Sequence, residues 1–407
     1  MESTINFIEF DQQRFGKDTD GSHKLFDMMK ANRIRYQDAK RGDLNYLPLH
    51  IRTPYDLDES MKMIPNDLYL LMQQGIVKPL IMMLTEAWDL FTSYIFTEEI
   101  IKNRNMTPDF GDVPFSVVIR HFTKRSIAEE NITWVVPNKH HEGQIKFLQD
   151  KGYKISCKFL QFDYNLETLK MITGNNDPKQ KTFEKHYACL LAGTPRNHRF
   201  GIIYDLWKNN LLDKGMVSCC QYEDLYEERG GVWIDDGITT DQFMSKLGDW
   251  PKDKDNFKDL IPMRFDDKHN EHWKEQDYDE KSIFKYSFLW LASETKKTDD
   301  GIFITEKTWK AIAHGNPFCI NGDAGSLRYL KDMGFKTFEN FWDESYDDAN
   351  DSDKIKMITK IVKDICEKTL PELQDLNEQM MSTLQYNQNH LKTMPQYERL
   401  IEGLKND

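Results

Sequence analysis

The sequence lacks the patterns that mark several large classes of protein. No apolar run reaches about eighteen residues, so no membrane span is predicted. The N-terminus has no basic region followed by an apolar run, so no signal peptide is predicted and a cytoplasmic location is expected. Neither G-x-x-x-x-G-K-[ST] nor G-x-G-x-x-G occurs, which leaves a P-loop ATPase or a dinucleotide enzyme without support.

Cysteine is scarce, and its spacing is uninformative. No two of the six cysteines form a C-x-x-C pair, so neither a zinc site nor a redox motif is predicted. Most of them lie in apolar, strand-like runs. We therefore interpret them as buried free thiols in a reducing compartment.

Basic charge is in deficit, but unevenly so. The net charge of −13 argues against a protein that coats nucleic acid without specificity. Residues 1–160 contain 21 Lys and Arg against 22 Asp and Glu, whereas residues 161–407 contain 33 against 45. A basic stretch over residues 24–52 is interpreted as a solvated face, with contact to a polyanion as the alternative.

What is present indicates a two-domain α/β protein. A chain of 407 residues with 39% hydrophobic residues usually forms two cores. Strand-like and helix-like segments alternate, the pattern of parallel sheets covered by helices. The predicted buried strands are 79–84, 116–119, 132–136, 158–162, 187–192, 216–218, 287–292 and 317–320. The main predicted helices are 65–75, 142–151, 200–209, 305–314, 326–333, 352–368 and 371–391; little regular structure is predicted for residues 221–280.

The densest motif lies at Thr305-Glu306-Lys307, where a helix is predicted to begin. Capping by Thr305 and the helix dipole acting on Glu306 explain the first two residues. They do not explain Lys307, because a cation beside a helix N-terminus is unfavourable unless it shares an anion. Free peptide N–H groups and a lysine form a natural cradle for a diphosphate, and Glu306 could then accept hydrogen bonds from ribose hydroxyls.

The segment 304–309, followed by Gly-Asn-Pro-Phe at 315–318, resembles the donor-site helix of GT-B glycosyltransferases. It is most similar to the α1,3-fucosyltransferase-like group, whose C-terminal lobe carries a similar T-E-K segment. Segments 334–338 and 343–347 fit the same pattern. The chain also resembles bacteriophage glycosyltransferases, with a weaker likeness to phage DNA glucosyltransferases. The resemblance covers about the second half of the chain, and the first half matches by architecture alone.

This resemblance implies an α/β fold of two Rossmann-like lobes with a cleft between them and a helical C-terminus. Residues 1–180 would bind the acceptor, residues 181–370 would bind a nucleotide sugar, and residues 371–407 would form a helix packing back on the first lobe. The polar stretch 173–182 is the best linker candidate. The donor would be a nucleoside diphosphate sugar of UDP or GDP type, with no further cofactor.

Two more clusters are candidates for the donor site. Arg196, His198 and Arg199 are predicted to lie between a strand and a helix, where ligands bind in open α/β sheets. The two arginines suit a pyrophosphate, and the phage group carries a similar R-x-H-R segment; a surface turn with solvated arginines is the alternative. Glu294 follows a buried strand and could bind a base or a sugar hydroxyl, or be an exposed loop acid.

The candidates for a general base lie in the first half. Glu86 and Asp89 flank Trp88 just after a predicted strand, and a carboxyl group beside an apolar ring has its pKa raised toward the working range. Glu86 is the preferred base for an inverting transfer; a pair of helix N-terminal acids is the alternative. Three histidines, His121, His140 and His141, are weaker candidates.

No metal site is predicted. The acidic string over residues 343–353 lacks the glycine and terminal glutamate of an EF-hand, so we interpret it as a solvated loop. No D-x-D flanked by strand residues occurs, and a metal-independent transfer is expected, with Lys307 and the arginines stabilising the leaving diphosphate.

These features predict a glycosyltransferase acting on a hydroxyl group of a glycan, a protein or a modified DNA base. The phage resemblance makes 5-hydroxymethylcytosine in double-stranded DNA the specific candidate, with the first lobe contacting the DNA. If the enzyme is encoded by a phage, it would act in the cytoplasm of the host. A fucosyltransferase-like enzyme acting on a glycan or protein is one alternative. A non-catalytic protein that binds a nucleotide sugar is the other.

Overall fold

In the computed structural model the chain forms two compact units, Met1–Tyr164 with Pro395–Asp407 and Asn165–Met394. The structure describes residues 5–9, 32–50, 61–82, 114–136, 145–146, 149–150, 155–170, 172–174, 176–191, 196–219, 234–235, 238–261, 263, 280–294 and 302–406. Among these segments, no helix combines the length and the apolar character that crossing a bilayer requires. The five cysteines they include are free thiols, and four of them are buried, as predicted.

The first unit is built on a parallel sheet of six strands in the order β2-β1-β3-β4-β5-β6. The strands are β1 Ile5–Glu9, β2 Asn32–Arg35, β3 Leu44–His50, β4 Val77–Met82, β5 Thr133–Val136 and β6 Lys158–Gln161. The last three confirm sequence predictions. Strands β4 and β5 are buried and appear as apolar runs, whereas β6 is a partly exposed edge strand. The first three are not predicted from the sequence, and β2 is a short edge strand with exposed ends.

Two helices pack beside this sheet, α1 Asn66–Gln73 and α2 Pro114–Thr123. The prediction of a strand at residues 116–119 is wrong, because this segment lies within α2. Phe115, Val118 and Phe122 recur at helical spacing and are buried in one core with Trp134 of β5. The β-branched run favours a strand locally, but tertiary packing overrides such a weak preference.

Helix α3 Tyr164–Lys170 crosses the boundary into the second unit. The second unit is built on a parallel sheet in the order β12-β11-β7-β8 and also contains a small antiparallel pair. The elements that follow along the chain are β7 Lys185–Leu191, α4 Asn197–Lys208, β8 Gly215–Cys219, β9 Ile234–Asp235, β10 Ile238–Thr239, α5 Thr240–Met244, α6 Trp250–Leu260, α7 Glu280–Tyr286, β11 Ser287–Ser293, α8 Glu306–His314, β12 Phe318–Asn321, α9 Ser326–Asp332, α10 Asp351–Cys366 and α11 Leu370–Thr393.

The expectation of little regular structure over residues 221–280 is wrong for α5 and α6. Helix α5 begins with a capping box in which Thr239 and Gln242 satisfy each other's backbone N–H groups. Helix α6 has a proline in its first turn and buries Trp250 and Phe257 against Tyr204. Both starting motifs are present in the sequence, but the weak apolar periodicity of α6 hides the helix.

The direction of the chain reverses at the centre of the second sheet. From β7 the chain passes through α4 to β8 on one side, and from β11 it passes through α8 to β12 on the other. Right-handed crossovers in opposite directions place α4 and α8 on opposite faces, where α4 packs with α10 and α8 with α11. The carboxyl ends of β7 and β11 therefore form the switch point of the sheet.

The last helix, α12 Gln396–Lys405, belongs to the first unit. The hydroxyl of Tyr46 donates to the carbonyl of Leu404 at 2.8 Å, and the amine of Lys158 donates to the carbonyl of Gly403 at 2.7 Å. Leu400 and Leu404 are buried in a small core with residues of the sheet. The chain thus has a GT-B-like α/β fold with two parallel sheets, which confirms the predicted fold class.

Candidate functional site

The candidate site lies at the carboxyl edge of the second sheet, at the switch point between β7 and β11. Along the chain, helix α4 follows β7 and helix α8 follows β11. In open α/β sheets, loops leaving neighbouring strands in opposite directions leave a crevice there, and ligands bind in it. Seven residues predicted from the sequence to bind the donor lie on the two segments that flank this point.

Glu294, the residue after β11, is fully buried. The N–H of Thr305 donates to its Oε2 at 3.2 Å, and the hydroxyl of Thr305 donates to the same oxygen. Oε1 accepts a hydrogen bond from Oγ1 of Thr308 at 2.5 Å. Both carboxylate oxygens are therefore bonded to the start of α8. The alternative that Glu294 is an exposed loop acid is wrong, whereas its contact with a base or sugar hydroxyl stays a prediction.

The backbone carbonyl of Glu294 reaches the other segment. It accepts a hydrogen bond from Nε2 of His198 at 2.8 Å and one from Nε of Arg199 at 3.2 Å. Because a carbonyl oxygen only accepts, Nε2 of His198 carries a proton. Glu294 thus connects α4 with α8 through its backbone and its side chain.

Asn321, the last residue of β12, also holds the start of α4. Its Nδ2 donates to the carbonyl of His198 at 2.9 Å and to Oγ of Ser293 at 3.1 Å. The side chain is buried, so these bonds are shielded from water. The first turn of α4 is therefore fixed to two strands, β11 and β12.

Helix α8 begins as the sequence predicts. Thr305 is its N-cap in an extended conformation, and its side chain accepts a hydrogen bond from the N–H of Lys307. At the other end, Gly315 adopts a left-handed conformation with φ 65° and terminates the helix. On β11, the indole of Trp290 donates to the carbonyl of Lys307 at 3.1 Å and ties this turn to the sheet.

Lys307 and Glu306 form an ion pair at the solvent side of the site. The amine of Lys307 lies 2.7 Å from Oε1 of Glu306 and 3.4 Å from Oγ1 of Thr305. The Glu306 side chain is 39% exposed and that of Lys307 is 20% exposed, so both can meet a ligand from solvent. Glu306 is therefore an anion within the protein that balances the charge of Lys307, the residue that helix capping alone does not explain.

The two carboxyl groups have opposite pKa shifts. Burial raises the pKa of Glu294, and the charge of Lys307 with the hydrogen bonds from Thr305 and Thr308 only partly offsets it. Burial also opposes ionisation of Glu306, but Lys307, Lys310 and a backbone hydrogen bond together outweigh it, and the pKa of Glu306 lies below its ordinary value. Glu306 is thus held as an anion beside the amine.

The helix after β7 starts three residues earlier than predicted, so His198 and Arg199 lie in its first turn rather than in a loop. Arg196 is the N-cap residue in an extended conformation and makes no capping hydrogen bond through its side chain. Both His198 and Arg199 are buried, which contradicts the alternative of a surface turn with solvated arginines for Arg199, whereas Arg196 is half-buried. Because these residues are polar, apolar periodicity does not predict that the helix begins at Asn197.

Of the residues predicted as candidates for a general base, His121 alone is among the described residues. Glu86, Asp89, His140 and His141 lie outside the described residues, and their roles stay predictions. His121 lies on α2 in the first unit, where its Nε2 is 2.6 Å from the hydroxyl of Tyr69.

The acidic string is a solvated loop only in part. Asp347 is buried and accepts hydrogen bonds from the N–H groups of Leu327 and Arg328 at the start of α9, at 3.0 and 3.2 Å. Glu344 accepts one from the N–H of Phe338 at 2.6 Å. Within the described segments, no group of three or more His, Cys, Asp or Glu is placed to hold a metal ion.

Two further residues of this edge, Thr308 and Asn321, are not predicted from the sequence. Thr308 lies one turn into α8, within the motif, but its role depends on Glu294 being buried beneath it. Asn321 ends a strand that was itself predicted, and a polar residue at the carboxyl end of a buried parallel strand is the pattern that could have identified it.

Comparison with known proteins gives matches among solved structures only. No family model and no curated protein matches the chain. A structure of the DNA-modifying enzyme β-glucosyltransferase, determined with and without uridine diphosphoglucose, is 11% identical, with a TM-score of 0.44 over 98% of this chain and 99% of that one. Two structures of T4 phage β-glucosyltransferase, one in complex with UDP-glucose, are also 11% identical, with TM-scores of 0.42 and 0.41 over 98% and 99% of this chain and 99% of each of theirs. Likeness at this level transfers neither substrates nor residue roles, and these matches give no support to the fucosyltransferase resemblance.

Proposed function

We propose that the protein is a glycosyltransferase whose second unit binds a nucleoside diphosphate sugar at the carboxyl ends of β7 and β11. The observation that carries the proposal is the pairing of two cationic segments around Glu294. Arg199 donates a hydrogen bond to the backbone carbonyl of Glu294, and the positive charge of Lys307 lowers the pKa of the Glu294 carboxyl group. Cations from two chain segments at a switch point suit a diphosphate, which presents several acceptor oxygens.

The donor would span both segments. The diphosphate would lie at the N-terminus of α4, where the helix dipole favours an anion. Arg196, Arg199 and Lys307 would neutralise the diphosphate, with His198 beside them. Glu306, held ionised, would accept hydrogen bonds from the ribose hydroxyls, and Thr305 sets the start of that helix.

These residues would also promote the reaction. Breaking the bond between the sugar and the diphosphate leaves negative charge on the leaving group. Fixed cations and helix N–H groups stabilise that charge as it develops, without reorganising at the moment of reaction. The chain's own residues therefore provide the stabilisation expected of a transfer that needs no metal.

The acceptor would be held by the first unit. An inverting transfer needs a base to take the proton of the acceptor hydroxyl, and we assign this role to Glu86, with Asp89 as the second choice. The acceptor we propose to test first is 5-hydroxymethylcytosine in double-stranded DNA. A flipped base would present its hydroxymethyl group to the enzyme, and Arg35 on β2 belongs to the basic stretch that would meet the phosphates.

The test has a binding arm and a transfer arm. UDP, GDP, UDP-glucose and GDP-fucose are titrated into the protein by calorimetry, with AMP as the control. Duplexes containing hydroxymethylcytosine or cytosine, and a glycan acceptor, are then incubated with each sugar donor and analysed by mass spectrometry. Sugar added to hydroxymethylcytosine alone supports the full proposal, and sugar added to the glycan alone contradicts the DNA acceptor.

Two results would contradict the proposed donor site or the proposed transferase activity. If none of the four donor-side ligands binds, the assignment of the site fails. If a donor binds but is neither transferred nor slowly hydrolysed, the protein is a nucleotide-sugar-binding protein rather than a transferase.

A further inference from the structure

One buried residue joins the two halves of the proposed donor site. Glu294 accepts hydrogen bonds from His198 and Arg199 through its carbonyl, and from Thr305 and Thr308 through its carboxylate. Its side chain has no exposed surface. Removal of such a carboxylate leaves buried donors without an acceptor, which costs more than the bond itself contributes.

A second carboxylate holds the chain just before α8. Oδ2 of Asp323 accepts a hydrogen bond from the N–H of Phe303 at 2.8 Å. The buried amine of Lys354 donates to the carbonyls of Gly322 and Asp323 at 3.0 and 3.2 Å, which fixes this loop in turn. The segment entering α8 is therefore held at two points, and the Glu294 point is also bonded to α4.

Gly322 packs closely against the side chain of Glu294. A Cβ atom at this position would lie 3.1 Å from Cγ of Glu294, closer than nearly all such contacts in proteins. The absence of a side chain at Gly322 therefore allows the Glu294 side chain to occupy its place under α8. The loop after β12 and the residue after β11 are packed as one layer beneath the site.

We infer that Glu294 is a positioning residue, which sets the separation between the cations of α4 and those of α8 instead of touching the donor. The inference rests on the proposed function. A ligand that contacts both segments gains affinity when the two are held at a matching distance beforehand, because less ordering remains to be done on binding. Loss of the link would therefore weaken nucleotide binding even though every group that touches the ligand is still present.

Variants of Thr308, the buried residue that donates a hydrogen bond to Glu294, test this link without changing a residue that would contact the ligand. Thr308→Val keeps the shape of the side chain and removes the hydroxyl bonded to Glu294, whereas Thr308→Ser keeps the hydroxyl. Dissociation constants for UDP and GDP are measured by calorimetry, at a temperature where circular dichroism shows every variant fully folded. We expect Thr308→Val to bind the preferred nucleotide roughly tenfold more weakly and Thr308→Ser to stay within about threefold of wild type.

A second pair of variants changes Glu294 itself. Glu294→Ala removes the acceptor, and we expect a loss of roughly tenfold or more in affinity. Glu294→Gln can still accept from Thr305 and can donate to Thr308, so it should recover most of that affinity. Recovery by Gln and by Ser would show positioning, because a residue that contacts the donor through its charge would not be replaced by an amide.

The outcomes separate this inference from the proposed function. If the wild-type protein binds no nucleotide, the proposed function fails. If wild type binds but Thr308→Val and Glu294→Ala bind equally well, the function stands and the positioning role is wrong. If Gln and Ala at position 294 lose affinity equally while both Thr308 variants bind normally, Glu294 contacts the ligand directly and the inference is overturned.

Discussion

The amine of Lys307 lies 2.7 Å from Oε1 of Glu306, its neighbour in the first turn of α8. This pair places a cation and an anion side by side at the open end of the site. A diphosphate sugar has the complementary order, with phosphates that need a cation and ribose hydroxyls that can donate to a carboxylate. In the proposed function, the pair would be the part of the site that distinguishes a nucleotide from a simple anion.

Replacement of Lys307 by alanine should weaken the binding of a nucleoside diphosphate by roughly 10- to 150-fold, the range expected for one lost hydrogen bond to a charged group. Titration calorimetry would measure the loss. Lys310→Ala is the matched control, since it removes the same charge from the same helix, and its effect should stay below about threefold. Equal losses in the two variants would show general attraction rather than a specific contact.

The opposite pKa shifts of Glu294 and Glu306 predict opposite pH dependences of stability. The pKa of Glu294 is raised, so the folded chain favours its protonated form, and its contribution is lost as the pH rises above the ordinary value of 4.5. Glu294→Gln stays neutral, and its thermal midpoint should therefore rise relative to wild type as the pH rises above about 4.5 toward the raised pKa of Glu294.

Glu306→Gln is the control with the reverse sign. The pKa of Glu306 is lowered, so its contribution to stability is present above 4.5 and is lost as the pH falls through the folded-state pKa. The midpoint of this variant should therefore fall relative to wild type as the pH rises. Thermal midpoints measured by circular dichroism over the same pH series would test both trends. A parallel trend in the two variants would contradict the opposite pKa shifts of Glu294 and Glu306.

The parts of this fold that the sequence predicts are those set by local patterns. Strands β4, β5, β7, β11 and β12 are buried on both faces and appear as continuous apolar runs. The limits of α8 are likewise local, because Thr305 can cap a helix start and Gly315 can adopt the left-handed conformation that ends one.

The contacts that build the site are not local, and the sequence does not predict them. His198 and Glu294 are 96 positions apart, and nothing near either residue indicates the hydrogen bond between them. Polar residues such as His198 and Arg199 are expected at the surface, yet here they are buried because a distant carbonyl accepts their hydrogen bonds. The sequence therefore predicts which residues lie at this edge but not how they are held together.

The proposed base predicts a loss of turnover without a loss of donor binding. Glu86→Gln should lower the rate of sugar transfer by about 100- to 10,000-fold, because the acceptor hydroxyl no longer loses its proton to a positioned carboxylate. Donor affinity should be unchanged, since the donor is assigned to the other unit. Single-turnover transfer and calorimetry would separate the two effects, with Asp89→Asn as the matched variant; if both variants keep full turnover, the base lies elsewhere.

Gly315 offers a test of the structure that does not depend on function. Its φ is +65°, and a Cβ atom would lie 2.5 Å from Cγ of Pro178 and 2.9 Å from Nε2 of Gln388. Gly315→Ala should therefore cost about 2–4 kcal/mol, from the left-handed backbone and the crowded contact together.

Gly174→Ala is the control for this variant. Gly174 has φ +88° with no atom within 4 Å of its Cβ position, so only the backbone cost of about 1–2 kcal/mol applies. The thermal midpoint should fall by about 2–4 °C for each kcal/mol in a unit of this size, and it should fall further for Gly315→Ala. Equal shifts would mean that the segment containing Pro178 does not pack against the end of α8 as the structure shows.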